Sequence, residues 1–186
     1  TTGGDNVAIG GNALTANTTA TGIIAIGYNC LDANTTGARN TAIGYYALSG
    51  NTTAVDNTAV GNATLQSSTA NGCTAVGSNA LNAVTTGNYN TAVGRQAGLT
   101  ITSGDLNVAI GNTALKTCTT GQYNIAIGND ALGLLSTATS NTAIGTNVMA
   151  ANTTGNYNTA IGRDALDANQ TANNNVAVGY AALGAN

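Results

Sequence analysis

NTAIGYYAL, residues 40–48, carries a core that returns along the whole chain. Aligning every Ala-(Ile/Val)-Gly places the glycine at 10, 27, 44, 61, 77, 94, 111, 128, 145, 162 and 179. The ten intervals are nine of 17 residues and one of 16. Eleven copies at one period predict a stacked repeat, because a unit this short cannot bury its own apolar side chains without neighbours. The short interval, between Gly61 and Gly77, reads as a turn deletion between Leu65 and Thr69.

Numbered from its glycine as zero, the unit reads N-(T/V/I)-A-(I/V)-G-x-x-A-L-x-x-N-T-T-G-x-x. Position −2 is Ala in all eleven copies, −1 is Ile or Val, and −3 is Thr, Val or Ile. β-Branched residues bounded by Asn and Gly predict a short β-strand. Position +4 is Leu except at Gly98 and Met149, and +3 is mostly Ala, which predicts a second short strand or a corner there. Seventeen residues leave no room for a helix in each unit, so helical-repeat architectures are excluded and an all-β parallel solenoid of eleven coils remains. At roughly 4.8 Å per coil the rod is on the order of 50 Å long. Ala42, Ile43 and Leu48 are expected over Ala25, Ile26 and Leu31. Asn at −4, interrupted by Ile23 and Cys73, reads either as a side-chain amide ladder along the rod or as a local turn residue.

Positions −3 and −1 face one side of the strand and −2 the other. These places hold no charge, so both faces read as buried, and Ile110→Asp is expected to destabilise by several kcal/mol. A narrow roll has one interior, so the outward strip predicts self-association into a rotational homo-oligomer. Residues 1–186 read as a single repeat array without distinct caps. This predicts a stretch of a longer fibre or a subunit stacked end to end.

The chain has four Lys and Arg, seven Asp, a net charge of −3 and no His, Glu, Pro, Phe or Trp. That balance makes nucleic acid and anionic membrane poor partners, and no apolar run is long enough for a membrane span. General acid–base chemistry has only Asp, Cys and Tyr to draw on, so no enzyme, catalytic residue or cofactor is expected. The Asp residues fall at four different repeat positions, unlike calcium-binding rolls, and Cys30, Cys73 and Cys118 are too far apart for a zinc site or an internal disulfide. The thiols read as small buried side chains. The sequons at Asn17, Asn34, Asn51, Asn62, Asn152 and Asn169 read as turn residues.

NTAIGYYAL at 40–48, together with NTTG at 34–37 and 152–155, resembles two repertoires of surface fibres. One is the YadA-like head of trimeric autotransporter adhesins; the other is the NTAIGxxAL repeat of phage tail-fibre-like and bacterial surface proteins. The resemblance covers the whole chain and implies a left-handed β-roll, a homotrimer and an extracellular place on a cell surface or virion. It also implies an adhesive or structural fibre segment that contacts a surface glycan or host receptor. The 17-residue unit departs from the shorter adhesin-head repeat, and no neck, coiled-coil stalk, anchor or chaperone domain is present in this sequence.

The Thr or Ser pair at +8 and +9 supports an alternative, an ice-binding solenoid. Adjacent residues face opposite ways, which leaves one outward rank where two are usual. All seven Tyr lie at +1, +2 or +12. Tyr89, Tyr123 and Tyr157 recur every 34 residues, and Arg39, Arg95 and Arg163 share the +12 and +1 places. These six are the candidate surface contacts, suited to sugar rings or to packing between protomers.

Overall fold

Each 17-residue unit spends three residues in a strand and turns back with the rest. The computed structural model describes residues 2–184; the expectation placed on the chain ends falls on Thr1 and Asn186, outside that range. Eleven strands run in chain order: β1 (Val7–Ile9), β2 (Ile24–Ile26), β3 (Thr41–Ile43), β4 (Thr58–Val60), β5 (Thr74–Val76), β6 (Thr91–Val93), β7 (Val108–Ile110), β8 (Ile125–Ile127), β9 (Thr142–Ile144), β10 (Thr159–Ile161) and β11 (Val176–Val178). They form one parallel sheet in sequential order, and the described residues contain no helix. The protein is an all-β parallel solenoid.

Like stacks on like. Ala42 pairs with Ala25 on one side and Ala59 on the other, and Ile43 with Ile26. Leu31 and Leu48 lie buried in the same core. The +3 and +4 residues lie in a turn, not in a second strand. Leucine at +4 takes a left-handed backbone there, with φ near +50° at Leu31, Leu48 and Leu115. That conformation costs a non-glycine residue about 1–2 kcal/mol. Complete burial of the leucine side chain, worth roughly 1.5–3 kcal/mol, offsets it. At Gly98 the leucine is missing, and Leu81 and Ile101 close over the place its Cβ would occupy.

The strand ends at glycine zero, where φ runs from +125° at Gly10 to +139° at Gly27, a region that side chains rarely enter. The glycines also stack backbone to backbone. A Cβ on Gly77 would lie 2.6 Å from the Gly94 carbonyl oxygen. The short interval does not disturb this column, since Thr58 pairs with Thr74 in register. Its gap falls later than expected, between Thr69 and Ala70. Ser68 is buried as Asn51 is, and Thr69 Oγ1 donates to the Thr85 carbonyl as Thr35 Oγ1 does to Thr52. The missing residue is therefore the outermost of the turn, at +9.

Both readings of the −4 asparagines hold: they form a ladder between coils, and Asn40 and Asn90 also donate through Nδ2 to the Gly37 and Gly87 carbonyls of their own turn at 3.1 and 3.0 Å. Buried Asn107 accepts the Asn124 backbone N–H at 3.0 Å through Oδ1 and donates through Nδ2 to the Gly121 carbonyl at 2.8 Å. The pattern repeats through Asn124, Asn141 and Asn158. At the interruptions, Ile23 and Cys73 still donate their N–H to the preceding Asn. Position −2 is the interior face of the strand, with Ala109 at 1% exposure, whereas Ile110 beside it is 36% exposed. Ile110 thus belongs to the outer face of the single chain, and its expected core role is corrected. An extended strand one sheet thick puts alternate residues on opposite sides, and only one side is enclosed.

Gly77→Ala is expected to lower stability by more than about 3 kcal/mol, through left-handed strain and the clash with the next coil. Asn107→Ala should cost about 2–3 kcal/mol by orphaning the Asn124 N–H. Thermal and denaturant unfolding followed by circular dichroism measure both.

Candidate functional site

The alternation that buries −4 and −2 continues beyond the strand. Exposure returns at +12, −3, −1 and +1, so four ranks share one outward face. Its two middle ranks are β-branched: Ile43 is 37% exposed, Val93 39% and Ile161 39%. The outer ranks carry the variable residues. Tyr89, Tyr123, Tyr157 and Arg39 stand on the +12 edge, and Arg95 and Arg163 on the +1 edge. The six candidate contacts therefore flank the strip on opposite sides and do not form one cluster.

Tyr89, Tyr123 and Tyr157 are exposed, and no ring contact joins them among the described residues. The Tyr89 ring lies over Gly72 of the preceding coil, where a Cβ would meet ring carbons at 2.6–2.7 Å. Leu106 stands between Tyr89 and Tyr123 in the same rank and is itself exposed. Lower on that edge Arg39 holds Asp56 with Nε and Nη2 at 2.6 and 2.9 Å. This bidentate bond, more than the charge itself, pulls the Asp56 carboxyl below its ordinary range. On the +1 edge Arg95 donates to Asn112 at 3.2 Å, and Arg163 pairs with Asp164 at 3.0 Å with its guanidinium 6.0 Å from the Tyr180 ring centre.

Repeat position puts Tyr28 and Tyr45 at +1 and Tyr46 at +2 without showing that they meet. Tyr28 and Tyr45 stack at 5.6 Å between ring centres, and Tyr46 meets Tyr45 edge-on at 4.5 Å. Lost solvent contact, then the Tyr46 hydroxyl, raises the Tyr45 phenol above its ordinary value. The signal was available, since Tyr at +1 in two consecutive coils must stack in a register this regular. Repeat position likewise does not show the second polar column at +11, where Asn88 donates its N–H to Asp105 Oδ1 at 2.7 Å and itself accepts from Asn71 at 2.9 Å.

Elsewhere, Asp130, Asp164 and Asp167 line an open cleft of about 470 Å3 with Asn147, Leu134, Ala150 and Ala151. Asn147 lies between the two stacked carboxylates and donates to Asp164 at 3.3 Å. No group of three metal-ligating side chains occurs among the described residues. The three thiols are buried and unpaired. Asn34, Asn51, Asn152 and Asn169 are buried turn residues, so their sequons are closed in the folded chain. The +8 hydroxyls, such as Thr35 and Thr85, donate to carbonyls of the next coil, whereas +9 residues such as Thr36, Thr86 and Thr120 remain exposed.

No protein-family model, curated protein or solved structure matches this chain.

Two outcomes follow from the ionisable groups. The Asp56 carboxyl should titrate below the ordinary Asp range by NMR and return to it in Arg39→Gln. Burial pushes the Cys30 and Cys118 thiols up to about 11 from 9.0. Stability from keeping them neutral is full below about 9 and is lost as pH rises through about 11. Combining Cys30→Ala with Cys118→Ala should flatten that alkaline fall in Tm.

Proposed function

We propose that this chain is a structural and adhesive segment of an extracellular fibre, on a bacterial surface or a phage tail, that supplies rigid length. The observation that carries the reading is the outward strip of Ile, Val and Thr, which runs from β1 to β11 and stays half-exposed in the single chain. A continuous apolar strip on this scale is uncommon on a monomer and marks an association surface. Repeat symmetry favours copies packed around an axis parallel to the rod, and the resemblance to adhesin heads nominates a left-handed roll and a trimer. The Tyr and Arg on its edges supply contacts either between protomers or with a surface glycan or host receptor.

A second reading, ice binding, draws on the exposed +9 hydroxyls. The bonded +8 hydroxyls leave it a single free rank. Inhibition of ice recrystallisation by the purified chain would favour it.

Sedimentation of the full chain should give an oligomer. Combining Ile43→Asp, Ile110→Asp and Ile161→Asp should abolish assembly while the β circular dichroism of the coil survives. In a Tyr89→Ser, Tyr123→Ser, Tyr157→Ser variant, lost glycan or cell binding with assembly intact assigns that edge to a receptor. Weakened assembly assigns it to protomer packing.

A further inference from the structure

The two edges of the outward face are correlated. Each of the three arginines on them has a tyrosine at its own level on the opposite edge: Arg39 and Tyr45 flank β3, Tyr89 and Arg95 flank β6, and Tyr157 and Arg163 flank β10. The members of each pair lie six positions apart on opposite edges of a three-residue strand, and the one ring contact of an arginine among the described residues is that of Arg163 with Tyr180, not with Tyr157. All remain accessible, with Tyr45, Tyr89, Tyr157 and Arg95 exposed and the Arg39 and Arg163 side chains 62% and 66% exposed. Their bonds to Asp56, Asn112 and Asp164 engage guanidinium N–H groups at the rim of the plane. Among the described residues no ring of the same chain covers the Arg39 or Arg95 guanidinium, and Arg163, which already turns one face toward Tyr180, keeps the other for a second ring.

We propose that these three pairs close between copies and set a parallel, unshifted register in the assembly. The inference rests on the axial association proposed above. Rotation about an axis parallel to the rod brings the +12 edge of one copy against the +1 edge of the next at the same level, which satisfies all three pairs at once. A one-coil slip in one direction leaves Arg39 against Tyr28 and loses the other two. In the opposite direction Arg39, Arg95 and Arg163 meet Asn62, Gly72 and Ser140, and none survives. Antiparallel packing sets like edges together and reverses the levels. Four ranks over eleven coils give the face a flat footprint of about 1,000 Å2 per copy, which a ring of copies divides between two neighbours. The β-branched middle ranks are nearly uniform and tolerate slippage, whereas the edge pairs do not.

Cysteine cross-linking between mixed chains tests the register. Isotope-labelled Tyr89→Cys protein is co-refolded with unlabelled Arg95→Cys protein and treated with a short bis-maleimide, and the same is done with Tyr157→Cys and Arg163→Cys. All four positions are exposed, and circular dichroism verifies the fold. Mixed-mass dimers in both matched pairs, and none in Tyr89→Cys with Arg163→Cys, are the expected result. Cross-links in the mismatched pair, between Tyr89→Cys chains alone, or in no pair of an assembled protein overturn the register while leaving the association standing. A unsubstituted chain that sediments as a monomer overturns the association, and the register with it.

Discussion

The glycine that closes each strand is the constraint on which the coil depends. Its backbone turns with φ between +125° and +139° and, from Gly10 to Gly162, lies against the glycine of the next coil. No side chain fits there, because the neighbouring carbonyl fills the space of a Cβ. The turn therefore comes at the same point in every unit, and the three residues before it must form the strand. Once the turn is fixed, Ala at −2 can only point inward and Ile or Val at −1 only outward.

Interior polar groups then keep the coils in step. A stack of small apolar residues alone would slide, since Ala on Ala has no preferred neighbour. The buried Asn column removes that freedom, because each Oδ1 accepts the N–H of the next coil and each Nδ2 reaches a carbonyl there. Slippage would leave both unpaired in a dry interior. The +8 hydroxyls and the +11 Asn and Asp side chains add two outer columns of the same kind. The deleted residue at +9 is tolerated because that position is exposed and lies outside these columns.

The same strand has two unlike sides. Inside, Ala is small enough for a narrow core of Leu and Ala to close completely. Outside, the β-branched residues face solvent in the single chain, edged by Tyr and Arg. This exposed apolar sheet between variable polar edges is the feature on which the proposed association rests.

The period, the parallel stacking and the identity of the strand were readable from sequence alone, because a fixed spacing of Ala-Ile-Gly permits only one way of laying like on like. The gathering of Tyr and Arg at +1, +2 and +12 was equally legible, being a matter of repeat position. Which strand residues are enclosed was not. Ile110 and Ala109 are both apolar, and periodicity of two separates their faces without saying which one the coil wraps around. That the −4 asparagines serve as ladder and turn residues at once likewise waited on the distance between coils, since one side chain bonds its own loop and its neighbour's. The Tyr28, Tyr45 and Tyr46 cluster and the division of the six contact residues between two edges belong to tertiary structure. Residues 17 apart become neighbours, and residues six apart are held on opposite edges by the strand between them.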